Sequence, residues 1–362
     1  MHNFNLRHNF NLIRSVLLIL LIMNTSLLVG GCGTSNDSIS KEGFFFDTIV
    51  QITVYNPIDV ANAQNALDEC MDLCRTYNDM LSRTDENSLL YIINHSPNVP
   101  TQVPAEFLDL LNESIKISQM SSHAVDPTIG VLSDLWKIPS EDFTIPDDKD
   151  IQRALDLIGS DNILIDVQNQ TVTLKKDGVL LDLGFISKGY IADRLKQKLI
   201  DSGITSALIN LGGNILVVGS KSNIPENPYI VGIKDPHNPE ANVPLLKVKA
   251  GDYLGNHSSV VSSGDYERYC EVDGIRYHHI LSTQDGYPIG TKNGHRDNNL
   301  SQVTIISKSS LQGDELSTLC FILGYDDSVD FLKLNYPDVC AIFVDKEGNI
   351  TYYPNQESIL LD

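Results

Sequence analysis

The chain has 362 residues, with 47 acidic side chains against 26 lysines and arginines and a net charge of −21. So large an acidic excess excludes the basic face that nucleic-acid binding requires, and it suits an exported protein that stays soluble beside a membrane and binds divalent cations. The length allows one large domain or two intimately joined ones, and no long Gly/Ser/Pro linker after residue 43 and no internal repeat divides it.

At the N-terminus, Arg7 and Arg14 precede an apolar run from Val16 to Met23 that resumes at Leu27-Leu28-Val29 and ends in Gly30-Gly31-Cys32. The run is short for a membrane span, and small residues stand before the cysteine, which is the pattern of a lipoprotein signal. Cleavage before Cys32 then makes it a diacylated N-terminus. Residues 1–31 are the signal, 32–43 the lipidated cysteine with a polar tether, and 44–362 the working domain. The other reading is a secretory signal whose cysteine is incidental. Either way the mature protein works outside the cytoplasm; in the first it is lipid-anchored on the extracytoplasmic face of the cell membrane. Removing residues 1–31 takes away Arg7 and Arg14 and no acid, so −21 becomes −23.

From Thr48 to Tyr55 the sequence alternates as a strand. Residues 59–80 carry Ala63, Leu67, Met71 and Cys74 at helical spacing, up to the polar Ser82–Ser88 loop. Residues 104–120 read as a second helix, followed by a turn through Asp126-Pro127-Thr128 and a helical segment to Trp136. Residues 151–159 are expected to be helical, with a hairpin over 163–167 and 171–175. Val179-Leu180-Leu181 reads as the end of a buried strand and the stretch from Tyr190 as an amphipathic helix. Alternation returns over 207–219, where Gly212-Gly213 marks a bulge or a close backbone approach. Strands are expected over 229–234, 245–249, 259–263, 276–280 and 302–307, then helices over 313–323 and 327–334, then strands over 341–344 and 350–353. The mixture is an α+β fold with mixed sheets and packed helices. Beyond Cys32, the five cysteines 70, 74, 270, 320 and 340 are odd in number and irregular in spacing, which argues against a disulfide framework. Cys70 and Cys74 face one stripe of a helix; core packing is favoured over a soft-metal site because no His/Cys pair stands nearby.

Five islands carry chemistry. Phe46-Asp47-Thr48 opens the first strand, and Ser82-Arg83 with Ser88 and Asn94 forms a loop. Ala124-Val125-Asp126-Pro127-Thr128-Ile129-Gly130 precedes Leu135-Trp136; taken alone, Asp126 there is a helix cap. In Leu181-Asp182-Leu183-Gly184-Phe185-Ile186-Ser187-Lys188-Gly189-Tyr190, glycines permit close backbone approach, a helix start offers unpaired N–H groups, and Lys188 supplies a point charge for a phosphate. The bland alternative is an ordinary turn with an exposed lysine. The fifth island is Ser262-Ser263-Gly264-Asp265-Tyr266-Glu267-Arg268, Tyr277-His278-His279-Ile280-Leu281, Gly286-Tyr287-Pro288 and Asp314-Glu315-Leu316-Ser317-Thr318. Asp314 and Thr318, four apart, share a helix face; hard oxygens at a helix start suit magnesium, and an N-cap aspartate beside a buried threonine is the plain alternative.

In this order and spacing the islands resemble the ApbE family of FAD:protein FMN transferases, from about Phe44 to Tyr353. The resemblance implies a T-fold-like flavin transferase architecture and magnesium-dependent transfer of FMN from FAD, the substrate, to a threonine or serine hydroxyl of another protein, with release of AMP. It implies flavin-nucleotide contacts at Phe46, Ala124, Val125, Asp126, Asp182, Lys188 and Leu281. The Phe185 backbone carbonyl, Asp314, Ser317 and Thr318 are the implied magnesium ligands. The implied acceptor is a membrane-associated redox subunit with a short threonine-containing motif. His279 is the expected general base, since imidazole titrates near working pH, and His278 on the other strand face is the bystander. The chain departs from the family pattern where Phe46-Asp47 replaces Met-Gly, where Thr84 replaces an aromatic residue, where Phe185 and Ser187 replace small residues, and where Ser282, Thr283 and Asp285 replace Asp, Pro and Thr. Two rival readings remain: a flavin-binding lipoprotein without transfer, and a metal-dependent FAD pyrophosphatase.

Overall fold

The computed structural model describes residues 38–224, 227–255, 257–291, 298–359 and 361. The signal segment, Cys32 and the tether up to residue 37 lie outside the described residues. From Asp37 onward the chain clusters as one compact unit.

The elements run β1 (Ser38–Phe45), β2 (Thr48–Tyr55), α1 (Val60–Leu81), α2 (Leu89–Asn94), β3 (Thr101–Gln102), α3 (Ala105–Met120), α4 (Gly130–Trp136), α5 (Asp148–Leu155), β4 (Ile163–Asp166), β5 (Thr171–Leu174) and α6 (Ser187–Asp201). They continue with β6 (Ser206–Leu211), β7 (Asn214–Gly219), β8 (Tyr229–Ile233), β9 (Leu246–Ala250), β10 (Ser259–Gly264), β11 (Tyr269–Val272), β12 (Ile275–His278) and β13 (Leu300–Ser307). The last four are α7 (Ser310–Leu323), α8 (Tyr325–Asn335), β14 (Cys340–Asp345) and β15 (Ile350–Tyr353).

Eight strands form one sheet in the order β1-β2-β6-β7-β10-β13-β14-β15, flanked by small sheets β3-β5-β4, β8-β9 and β11-β12. The α+β class stands. Every pairing between these strands is antiparallel. A parallel contact survives as a single bridge, Ile129 to Leu180. It stands where Val179-Leu180-Leu181 reads as a strand in sequence; Val179 and Leu181 are buried, but the Leu181 peptide is tied to the Asn94 side chain rather than to a ladder.

Strand alternation gives the sheet two dry faces. Ala207, Ile209 and Leu211 of β6 join Val303 and Ile305 of β13 beneath α1, α6 and α7 in the main core. Val217, Val260 and Ile306 point the other way, onto β8 and β9 through Tyr229, Val231 and Val248. A third cluster packs Trp136, Leu132, Ile151, Tyr277 and Leu281 between α4, α5 and the end of β12.

Helix α5 spans Asp148–Leu155 instead of 151–159 and α7 starts at Ser310 instead of 313, and two further departures change the strand reading. Strand β1 begins at Ser38, so the last six residues assigned to the tether are a paired strand, Ser38 opposite Tyr55 through Phe45 opposite Thr48. Residues 207–219 are a hairpin rather than one bulged strand. Its two-residue turn, Gly212-Gly213, has φ +61° and +95°, and a Cβ on Gly212 would lie 2.3 Å from Thr48 Oγ1. Cys70 and Cys74 are fully buried on the inner face of α1, as core packing requires, and burial raises both thiols to about 12.

Candidate active site

The site is built on the crossing of α6 and α7. At Gly189 a Cβ would sit 2.3 Å from Ser310 O and 2.7 Å from the Cβ of Asp314, so a glycine is what allows the two helix starts to meet. Each helix then caps the other. Asp314 Oδ2 accepts the Gly189 N–H at 2.8 Å. In return, Asp193 of α6 accepts Ser310 N–H at 2.9 Å, Leu311 N–H at 3.0 Å and the Ser309 hydroxyl at 2.6 Å. Both acids sit against the positive end of a helix dipole. Asp314 is not at the start of its own helix, as the sequence suggested: Ser309 is that N-cap, and Asp314 lies one turn in, facing the start of α6.

Asp314 is nearly inaccessible and short of positive charge. Burial raises its pKa, while Lys188 and the first-turn amides of α6 act against the rise. Lys188 Nζ stands 3.8 Å from Asp314 Oδ1 and 3.3 Å from Gly184 O. A buried carboxylate in this condition fits a divalent cation. The donor set is oxygen: the Asp314 carboxylate, the half-buried Thr318 hydroxyl one turn on, and the Phe185 carbonyl in the turn leading into α6. Among the described residues no cluster of three or more His, Cys, Asp or Glu side chains forms a cage, and these few oxygens would leave positions on a divalent cation open to water or ligand. Ser317 differs from its expected role. It is fully buried, its hydroxyl donates to Asp314 O at 3.1 Å and it meets Ser263 Oγ at 2.8 Å, so its side chain is spent on packing α7 against β10. Ser263 also reaches Thr318 Oγ1, at 3.2 Å.

The approach to α6 is held by residues from the second island. Asn94 clamps the Leu181 peptide from both sides, accepting its N–H at 2.7 Å and donating to its carbonyl at 3.0 Å, and Asp182 N–H donates to Pro127 O at 2.8 Å. Arg83 then donates to Asp182 Oδ2 at 2.9 Å, Asp134 Oδ1 at 2.5 Å and Gly130 O at 3.0 Å. Burial acts to raise the Asp182 carboxyl, but Arg83, the Gly184 N–H and the Ser133 hydroxyl outweigh it and hold the pKa below the usual value. Asp182 is therefore ionised and half-neutralised before any ligand arrives.

The two histidines sit in different surroundings. His278 is buried; its Nε2 donates to Ile289 O at 2.8 Å and its Nδ1 accepts the Ile280 N–H at 3.2 Å, which fixes the neutral tautomer. Burial lowers its pKa to about 3. His279 is exposed, and its Nδ1 meets Arg268 O at 3.3 Å, so Nδ1 carries the proton and Nε2 keeps a lone pair. Crowding by the surrounding protein and the charges of Arg268 and Lys188 lower the His279 pKa, with Asp182 opposing. These interactions put His279, Lys188 and Asp182 in one electrostatic neighbourhood.

The other expected flavin contacts are more buried than the sequence implied. Asp126 is 1 % exposed and its carboxylate is saturated: Oδ1 accepts the Thr128 N–H and hydroxyl, and Oδ2 accepts the Ser118 hydroxyl, the Ser160 N–H and His123 Nδ1. Its side chain knits the 118–128 hook to residue 160 instead of capping α4, whose N-cap is Ile129. Ala124 and Val125 turn their side chains into the main core, and Leu281 turns its own into the Trp136 cluster, which leaves only their main chain for a ligand. Phe46 sits with Asp47 in the β1–β2 turn at φ +53° and +58°, strained for side chains of this size, and its N–H donates to Asn78 Oδ1 at 3.0 Å.

The divergent loop keeps its turn by other means. Ser282 Oγ accepts the Gln284 and Asp285 N–H groups at 3.2 and 3.3 Å, and Asp285 Oδ1 accepts the Tyr287 N–H at 3.1 Å. Trp136 Nε1 locks the loop by donating to Gly286 O at 2.7 Å. Arg83's three acceptors and Asp193's capping of α7 were not legible in sequence, because the partners lie up to 118 residues away with no spacing signal. A hollow of about 460 Å³ lined by Leu300, Tyr325 and Phe343 lies elsewhere and shares no residue with this site.

Comparison with known proteins bears on the family and the fold. The model of the ApbE family matches residues 46–343. The chain is 32% identical over 330 residues to the FAD:protein FMN transferase of Treponema pallidum (strain Nichols), covering 87% of each chain. It is 37% identical over 279 residues to that of Klebsiella pneumoniae (strain 342), covering 77% of this chain and 81% of the relative. Among solved structures it superposes on the ApbE protein of Thermotoga maritima with a TM-score of 0.76 at 29% identity, over 88% of this chain and 97% of that one. The flavin transferase ApbE from Vibrio cholerae gives a TM-score of 0.73 at 22% identity over 87% and 96%, a likeness of fold.

Proposed function

The chain belongs to the ApbE family, and from that premise we propose a magnesium-dependent transfer of FMN from FAD to a serine or threonine hydroxyl of a redox protein, with AMP as the other product. It is an FAD:protein FMN transferase, as its relatives are named. The observation that carries the finer reading is the buried, charge-deficient Asp314 at the meeting of two helix starts, with Lys188 beside it and His279 in the same field.

The acceptor hydroxyl oxygen attacks the FMN-side phosphorus, the bond from that phosphorus to the bridging oxygen breaks, and AMP leaves with the bridging oxygen. His279 Nε2 takes the hydroxyl proton. Lys188 Nζ and the α6 N-terminus stabilise charge growing on the diphosphate. Asp314, Thr318 and the Phe185 carbonyl would hold a magnesium ion, which would supply further neutralisation of the diphosphate. Asp182, pinned by Arg83 and Ser133, presents its edge to the flavin nucleotide.

We further propose that Cys32 is lipidated and holds the enzyme on the extracytoplasmic face of the membrane, where a membrane-bound acceptor subunit is within reach. The test is to incubate the detergent-solubilised full chain with FAD, magnesium and a candidate acceptor domain, and to look for flavin fluorescence on a denaturing gel. A fluorescent acceptor band supports the reading. Free FMN and AMP without a band point to a pyrophosphatase, and intact FAD with no band removes the transfer assignment for that acceptor.

A further inference from the structure

Three loops meet at the end of the large sheet away from the Phe46 turn. Pairing of Ser38 with Tyr55 sets the start of β1 beside the end of β2. From Tyr55 the chain passes through Pro57, Ile58 and Asp59 into α1, and Asn56 Nδ2 donates to Ser222 O at 3.2 Å. Asn62 Nδ2 donates to Ser202 O at 2.8 Å, just past the end of α6, and Thr205 Oγ1 donates to Asn223 Oδ1 at 2.5 Å. These ties join residues 56–62, 202–205 and 221–224 into one surface, with a hollow of about 180 Å³ bordered by Tyr55, Ile58, Thr205 and Asn223. On it Ile58 is 99% exposed, Ile224 54% and Val60 42%. A lone exposed aliphatic side chain is ordinary; three on one surface, one of them wholly in solvent, mark a face that something covers.

We propose that this face rests on the lipid bilayer and holds the active site clear of it. The proposal rests on the lipid anchor at Cys32 and adds which face of the domain that anchor presents. Six residue steps separate Cys32 from Ser38, and they span at most about 22 Å. An acylated Cys32 therefore keeps the start of β1, and the loops beside it, close to the lipid. Exposed aliphatic side chains there gain by entering the boundary between headgroups and acyl chains. Charge agrees, because an acidic protein is repelled by anionic lipid, whereas Asp59, Asp201 and Lys221 leave this face nearly neutral. Three elements run from the face to the site. Strand β1 ends at the Phe46 turn, α1 reaches the same turn where Asn78 accepts the Phe46 N–H, and α6 runs back from Lys188 to Ser202. Eight residues of strand cover about 26 Å and 15 of helix about 22 Å, so the α6–α7 crossing stands about 20 Å or more above the lipid. An acceptor must then offer its hydroxyl at that height, not at the membrane surface.

The experiment puts one thiol-reactive dye at a time on the full chain, purified from membranes and returned to vesicles of phosphatidylethanolamine and phosphatidylglycerol doped with nitroxide-labelled lipid. Cys70, Cys74, Cys320 and Cys340 are buried and an acylated Cys32 has no free thiol, so C270S is the unreactive parent to which I58C, I224C or I49C is added. All three replace exposed side chains, so the variants fold; Ile49, 62% exposed, lies by the β1–β2 turn at the site end. Dye at positions 58 and 224 is expected to be quenched by the lipid and dye at 49 to keep its fluorescence. Adding I224E to I58C puts a charge on the face and is expected to reduce quenching at 58 with the thermal midpoint unchanged. Equal quenching at 58 and 49, or more at 49, overturns the proposal. The vesicles hold no other protein, so a face made for a protein partner leaves position 58 unquenched, which overturns it as well. A C270S parent that takes up dye has a free Cys32 thiol, and that removes the anchor itself. An unlabelled parent with position 58 unquenched removes only the assignment of this face.

Discussion

Two buried aspartates in this molecule look alike in sequence, each in a short motif beside a helix start, and they do opposite things. Asp126 receives five hydrogen bonds from the hook around it. Asp314 receives the amide of Gly189 at 2.8 Å and faces an amine at 3.8 Å, with the Lys188 N–H and the Asn214 side chain acting in the same direction, and burial still leaves its pKa raised. Burying a carboxylate is costly unless donors or cations replace the lost water. Asp126 has that replacement built into the fold. At Asp314 the built-in donors fall short of the desolvation, and in the proposed function a divalent cation would supply the difference. Donor count around a buried acid, more than its burial, separates a structural acid from a working one.

The sharpest way to break that contrast is to remove the charge at each position. D314N keeps the shape and deletes the carboxylate, so FMN transfer is expected to fall by roughly a thousandfold, the scale of lost electrostatic stabilisation of a transition state, while the fold without metal is unchanged or slightly more stable. The linkage sign agrees. A folded carboxylate with a raised pKa binds protons that the unfolded chain has released, so its contribution to stability is lost as pH rises above the unfolded value. At neutral pH magnesium should therefore raise the thermal midpoint of the wild type, chelation should reverse the rise, and D314N should show neither. A magnesium-induced shift that persists in D314N would move the cation elsewhere.

At Asp126 the expectation inverts. D126N puts an amide where five donors point, leaving at least one buried N–H facing another, and is expected to cost about 3 kcal/mol of stability or more. Denaturant unfolding measures it. Below the shifted midpoint, magnesium should stabilise D126N by the same increment as wild type. Loss of the magnesium response with little loss of stability would make Asp126 the working acid.

How far this was legible follows the same division. Long amphipathic helices such as α1, and alternating strands such as β2, announce themselves by periodicity because one face of each is buried, while β14 shows as a continuous apolar run because both of its faces are. The start of β1 was hidden: Ser38–Gly43 is polar on its outward face and is ordered by pairing with β2, a non-local partner. Helix α2, six residues capped by Ser88, was too short to show a period. In the site, the family motifs located Lys188, His279 and Asp314, but side-chain direction was not in them. That Asp126, Leu281 and Ser317 turn inward is decided by packing, and that Arg83 joins Asp134 to Asp182 depends on a 99-residue separation between Arg83 and Asp182.

A smaller effect separates the paired histidines. His278 stays neutral in the fold down to about pH 3, whereas an unfolded histidine protonates near 6.5. Its folded pKa is depressed, so its contribution is intact above 6.5 and is lost as pH falls, by about 2 kcal/mol at pH 5. Glu315, raised to about 8 by burial, runs the other way and loses stability as pH rises. The measurement is therefore a difference: the wild-type stability slope between pH 6.5 and 5 minus that of H278Q. Equal slopes would mean that His278 titrates in the fold.

The smallest expected effect tests the divergent loop. Ser282 holds its turn through two long hydrogen bonds to the amides of Gln284 and Asp285, while Trp136 and the left-handed Gly286 fix the same loop independently. A Cβ on Gly286 would lie 2.4 Å from Ile151, so the loop is wedged against α5 whatever occupies position 282. S282A should then cost about 1 kcal/mol or less and leave transfer near wild type. S282D, restoring the residue of the family pattern, offers the same two amides a charged acceptor, and is expected to stabilise the turn slightly without changing turnover. A large gain in turnover from S282D would show instead that the departure at this loop limits the reaction, and would move the functional weight from the α6–α7 crossing to the strained side of the site.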